Sequence, residues 1–190
     1  MPKVLLINGS PRLEGNTYHM LCWLKTHLEE KKFEVEIYQL GNKQINLCKG
    51  CYKCFELGKC VQQEDDFVEI CKKMLESDAI IFGTPTYNCT ISMQLKILLD
   101  RVGCNIGMQL RRKIGSVLTA AERDGAILAF DTVVNWMAFY GMYIVTGFYW
   151  NDGYSPNMFQ LDGVEKDEKA KHCIKMLAEN LIYILDKFEK

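Results

Sequence analysis

The stretch Lys3-Val4-Leu5-Leu6-Ile7-Asn8-Gly9-Ser10-Pro11-Arg12-Leu13-Glu14-Gly15-Asn16-Thr17 decides how the chain is to be read. Lys3 to Asn8 is an apolar run without polar alternation, as a strand buried on both faces requires. Gly9 and Pro11 end it. Asn16 to Lys32 then sets Met20, Leu21, Trp23, Leu24 and Leu28 on one face of a helix. The turn between them has glycines for tight backbone geometry, hydroxyls at Ser10 and Thr17, and a helix start. Such a turn suits a phosphate, although it also fits an ordinary strand-to-helix turn capped by Asn16. No Gly-Lys-Ser/Thr closes it and no Gly-x-Gly-x-x-Gly runs through it, so it is neither a P-loop nor the dinucleotide motif.

Outward from this unit the alternation continues. Phe33 to Tyr38 alternates apolar and polar residues, as a strand nearer a sheet edge does. A helix capped by Asp65 or Asp66 runs to about Glu76 with Phe67, Ile70, Cys71 and Met74 on one side. Ala79 to Gly83 is a buried strand, and Ser92 begins a helix carrying Leu95, Leu98, Leu99 and Val102. Ile114 to Thr119 and Tyr143 to Phe148 are strands, Ala129 to Tyr140 a helix, and Asp167 to Phe188 a long amphipathic helix. Five strands alternating with helices predict an α/β fold: a doubly wound, five-stranded parallel sheet covered on both faces, in a single domain spanning residues 1–190. The exception is Gly41 to Gln63, which has no clean period. It is too long for a mere connection and is expected to be functional.

The bulk numbers restrict the function. A formal net charge of −1 and a pI near 6.3 give no nucleic-acid footprint. The apolar run at the N-terminus is too short for a signal peptide and no stretch approaches the length of a membrane span, so a cytoplasmic chain with neither membrane nor nucleic-acid partners is expected.

Two further segments carry chemistry. After the buried strand at Ala79 comes Thr84-Pro85-Thr86-Tyr87-Asn88-Cys89-Thr90-Ile91-Ser92, a polar loop with one aromatic residue at the carboxyl end of a strand. In an open α/β sheet this is where ligands sit, and the loop can line a flat heterocycle. Of nine cysteines, four fall within thirteen residues as Cys48-x2-Cys51-x2-Cys54-x5-Cys60. Four thiolates with two-residue gaps suit a [4Fe–4S] cluster. Structural zinc more often takes two separated pairs, and a redox dithiol would use only two of the four. Cys22, Cys71, Cys104 and Cys173 fall at helical positions and read as packing residues, as Trp136, Phe139 and Tyr140 read as core or subunit contact.

The pairing of Gly9-Ser10-Pro11-Arg12 … Gly15-Asn16-Thr17 with Gly83-Thr84-Pro85-Thr86-Tyr87 … Gln94-Leu95-Lys96 … Asp100-Arg101 resembles the NAD(P)H-dependent FMN reductase family. With the compact cysteine motif, the chain is most similar to the iron-sulfur flavoproteins within it. The resemblance runs from Lys3 to about Met142. It implies a flavodoxin-like fold and non-covalent FMN, with Ser10, Arg12, Gly15, Asn16 and Thr17 around the phosphate. Pro85, Thr86, Tyr87, Asn88 and Thr90 would border the isoalloxazine ring, with Ala121 and Gly125 on the loop that completes it. That loop reads Ala120-Ala121-Glu122-Arg123-Asp124-Gly125, whereas relatives tend to be glycine-rich there. Cys48, Cys51, Cys54 and Cys60 would hold a [4Fe–4S] cluster. The implied function is electron transfer between FMN and that cluster, from a donor such as ferredoxin or NAD(P)H, in a homodimer or homotetramer. The alternatives are a cluster-free NAD(P)H-dependent FMN or quinone reductase, and a non-catalytic metal or redox sensor.

Overall fold

A computed structural model describes residues 1–188. In chain order its elements are β1 (Lys3–Asn8), α1 (Asn16–Glu29), β2 (Glu34–Gln39), α2 (Lys53–Leu57), α3 (Phe67–Glu76), β3 (Ala79–Pro85) and α4 (Met93–Ile106). They continue with β4 (Ile114–Ala121), α5 (Ala126–Phe139), β5 (Tyr143–Ile144), β6 (Asp152–Tyr154) and α6 (Glu168–Phe188). The strands lie in the order β2-β1-β3-β4-β5 and every pairing is parallel. This is the doubly wound α/β sheet expected, with the flavodoxin-like strand order and its switch point between β1 and β3.

Alternation along β1 divides the core. Leu5 and Ile7 pack with Phe67, Ile70, Leu95, Leu98 and Val133 under α3, α4 and α5. Val4 and Leu6 pack with Leu21, Leu24, Ile174 and Leu181 under α1 and α6. Both faces are therefore dry, which is why β1 and β3 read as near-continuous apolar runs and the polar Ser116 and Thr119 of β4 are buried with them. Among the described residues no helix is long and apolar enough to cross a membrane.

The fifth strand departs from expectation. Tyr143 to Phe148 is not one strand; only Tyr143–Ile144 pairs with β4, at Ile114 and Gly115. The chain then leaves the sheet and returns as β6, whose Asp152–Tyr154 pairs with Thr119–Ala121 at the other end of the same strand. Asn151 fills the gap between the two short strands. Its side-chain amide donates to the Val117 carbonyl (3.1 Å), its Oδ1 accepts from Gly147 N (2.9 Å), and its own carbonyl accepts from Thr119 N (3.2 Å). Asn151 is fully buried with φ of 49°, a conformation asparagine tolerates better than most residues. The excursion exposes Phe148, Tyr149 and Trp150.

Candidate functional site

The loop after β1 is organised from within. The buried Asn8 side chain accepts from Ser10 N (3.1 Å) and donates to Gln39 Oε1 (2.6 Å), while Ser10 Oγ accepts from Arg12 N (3.0 Å). Gly9 has no room for a side chain. A Cβ there would lie 2.8 Å from the Gly83 carbonyl oxygen and 2.9 Å from Leu95 Cβ. Ser92 caps α4 by accepting from Leu95 N (3.2 Å) and donates its own hydroxyl to the Gly9 carbonyl. The ends of β1 and β3 are thus fastened together at the switch point, below one open pocket.

That pocket is lined by Ser10, Arg12, Gly15, Asn16, Thr17, Pro85, Thr86, Tyr87, Asn88 and Ala121, all expected there. It also takes in Ala120, Glu122, Ser155 and Met158. Ser155 and Met158 come from the segment after β6, a short polar strand with no periodic signal. Arg12 donates to the Met158 carbonyl (2.6 Å), and Asn16 donates to the Gln160 carbonyl (3.1 Å) and accepts from Val164 N (2.9 Å). The Asn16 side chain is therefore committed to this segment, and its backbone N–H is what it offers the pocket. Thr90 and Gly125 do not line it. Thr90 closes a tight turn with Tyr87 through reciprocal backbone hydrogen bonds of 2.9 and 3.0 Å, with Asn88 and Cys89 left-handed at φ of 49° and 61°. Gly125, at φ of 100°, starts α5 and backs that turn: a Cβ on it would lie 3.1 Å from Cys89 Sγ.

The pocket fits a flat phosphorylated cofactor. Free amides at the start of α1 and the Arg12 guanidinium supply an anion cradle at one end. At the other, Thr86 Oγ1 is sealed from solvent with no hydrogen-bond partner among the described residues. A buried hydroxyl is rarely left unpaired, so a ligand atom is the natural completion.

The second site is the cysteine segment, which folds over α4. Its stem is closed by two aspartates: Asp66 accepts from Gln44 N (2.7 Å) and Asp65 from Asn46 N (2.8 Å). The expected capping of α3 is correspondingly weak, a 3.3 Å contact from Phe67 N to Asp65. Arg101 of α4 forms a buried ion pair with Asp65, donates to the Gln62 and Asn46 carbonyls, and lies 4.0 Å over the Phe67 ring. Burial works against both charges, but the hydrogen bond between them prevails, holding the Asp65 carboxyl low and the Arg101 guanidinium high.

Cys48, Cys51, Cys54 and Cys60 line one small pocket against Arg101, Cys104 and Asn105 of α4. Arg101 Nη2 approaches Cys60 Sγ at 3.5 Å, and the Cys54 thiol donates to the Cys104 carbonyl at 3.2 Å. Cys71 and Cys173 are buried packing residues, as expected; burial pushes the Cys71 thiol up to about 12. Cys104 is not: it is half-exposed and faces Cys48 and Cys54, because the last turn of α4 is covered by the loop rather than by the core. Among the described residues no group of three His, Cys, Asp or Glu side chains closes on a single point as one metal ion demands. A four-iron cubane takes four thiolates, each on a different iron, and the four cysteines lining this pocket are such a donor set.

A doubly wound sheet with an anion cradle and a ring-sized polar loop at its switch point defines a nucleotide-cofactor protein. The chain belongs to the NADPH-dependent FMN reductase family, whose family model matches residues 2–156. It is a flavin-dependent oxidoreductase. It is 46% identical over 125 residues to iron-sulfur flavoprotein MJ1083 of Methanocaldococcus jannaschii, an alignment spanning 65% of this chain and 64% of that protein. It is 31% identical to an iron-sulfur flavoprotein of Archaeoglobus fulgidus over 97% of this chain and 96% of that one. The fold is similar to that of RosB, crystallised with a formylriboflavin phosphate intermediate (TM-score 0.79, 16% identity, 100% of this chain and 81% of that chain).

Proposed function

We propose that this chain is an electron-transfer flavoprotein, with FMN in the switch-point pocket and a [4Fe–4S] cluster on Cys48, Cys51, Cys54 and Cys60. The observation that carries the reading is the meeting of all four thiols in one pocket beside unpartnered buried donors of α4. The names of the relatives support it. When bound, FMN supplies two-electron and one-electron chemistry and the cluster one-electron chemistry.

The chain's own residues then have separable tasks. Ser10, Arg12, Thr17 and the first amides of α1 hold the phosphate. Pro85, Thr86, Tyr87 and Asn88 border the ring, with Thr86 Oγ1 donating to it. Arg101 offsets negative charge beside Cys60. Ser92 and Asn105 lie near opposite ends of α4, about 20 Å apart along its axis. That span, together with the exposed Leu47, Tyr52, Phe55 and Leu57 of the cysteine segment, favours a pairing of chains that brings one chain's cysteines toward another's flavin. The donor is ferredoxin or NAD(P)H, and the latter agrees with the family's name.

Metal, sulfide and flavin analysis of protein purified without oxygen tests the reading. About four iron and four sulfide per chain, with one FMN, are expected. FMN without iron after reconstitution would leave the second reading, a cluster-free NAD(P)H-dependent FMN or quinone reductase, which the family match also accommodates.

A further inference from the structure

Asn105 lies in the last turn of α4 and lines the cysteine pocket. Its Nδ2 is sealed from solvent and has no hydrogen-bond partner among the described residues, and Arg101 Nε on the same wall is in the same state. A buried amide donor left unpaired destabilises the fold, and native chains seldom tolerate it without a use. The surroundings narrow what the partner is. Beside the four thiols the pocket is lined by Lys49, Tyr52 and Val61 of the same segment and by Arg101 and Cys104 of α4; Cys54 is engaged with the Cys104 carbonyl, and Arg101 with Asp65, Gln62 and Cys60. A donor facing such a wall is satisfied by an acceptor that the thiols themselves bring in.

We infer that Asn105 is a positioning residue for the group held by Cys48, Cys51, Cys54 and Cys60, donating its side-chain N–H to one of that group's sulfur atoms and so setting its reduction potential. This rests on the cluster reading above. The physical basis is that one-electron reduction adds negative charge, which spreads onto the sulfurs. A fixed N–H dipole beside them therefore stabilises the reduced form more than the oxidised one. Removing the donor makes the site harder to reduce, while the thiols, the iron and the flavin remain.

The test compares anaerobically purified full-length wild type with Asn105→Leu by iron and sulfide content, then by potentiometric titration followed by electron paramagnetic resonance. Equal iron content and a lower cluster potential in the variant, with the FMN potential unmoved, is the expected result. Asn105→Asp keeps the side chain's shape while replacing the donor with an acceptor, and its potential falls further; it decides the matter if the leucine variant does not fold. Equal iron with an unchanged cluster potential overturns the role of Asn105 and leaves the cluster reading standing. Wild-type protein that takes up no iron after reconstitution overturns the cluster reading, and this inference with it.

Discussion

The guanidinium of Arg101 is buried against the carboxylate of Asp65, with side chains 1% and 0% exposed, and this pair locks the cysteine segment onto α4. Removing one partner of a buried ion pair strands the other charge. Arg101→Met is therefore expected to lower stability by about 3–5 kcal/mol. Urea unfolding measures the loss, and hydrogen exchange should show the stem residues Gln44 and Asn46 opening first. An unaltered unfolding midpoint would contradict the role assigned to the pair.

The same pair sets an acid limit. Burial alone would raise the Asp65 carboxyl, but the hydrogen bonds from Arg101 and from the Asn46 and Phe67 amides outweigh it, and its pKa in the folded protein is lowered. A lowered carboxyl stabilises the fold above its unfolded value of about 3.9, and that contribution disappears as the pH falls from there through the folded value. Stability followed from pH 5 to pH 2 should drop with a slope that Asp65→Asn flattens. A variant with the wild-type slope would assign the acid sensitivity to another group.

Thr86→Val should act in opposite directions on the two forms of the protein. Its unpartnered hydroxyl is a small liability without ligand, so the substitution is neutral or stabilises the flavin-free chain by up to about 1 kcal/mol. It should also weaken FMN binding by about tenfold, the equivalent of one hydrogen bond. Thermal unfolding and quenching of flavin fluorescence give the two numbers. Unchanged affinity would remove Thr86 from the ring contacts.

Asn151 joins two short strands that lack enough ladder of their own. Asn151→Ala leaves Gly147 N and the Val117 carbonyl without their partner and places alanine at a φ of 49°, so a loss of about 3 kcal/mol is expected. Asn151→Gly keeps the backbone comfortable and should recover about 1 kcal/mol of this. Equal losses in the two variants would mean that backbone strain plays no part.

These residues also show what could be read before folding. The parallel sheet and the two switch-point loops were legible because β1 and β3 are buried on both faces and the loops after them carry glycine, proline and hydroxyl residues in sequence. The split fifth strand was not. Tyr143 to Phe148 has the composition of a strand, and only the tertiary bonds of Asn151 to β4 show that the chain must leave the sheet and return. Asp152-Gly153-Tyr154 is too short and polar to announce β6. Cys104 and Asn105 look like ordinary helical residues. Their place beside the cysteine motif depends on contacts such as that between Cys54 and Cys104, fifty residues apart in sequence.

The aspartate-closed stem has one last consequence. Because Asp65 and Asp66 tie directly back to Asn46 and Gln44, the two ends of the segment are fixed beside one another at its base. Shortening or lengthening the segment alters the entropy of closing that loop only slowly with length. Its far side is not free to vary in the same way, since Arg101 of α4 reaches Cys60 and the Gln62 carbonyl across it.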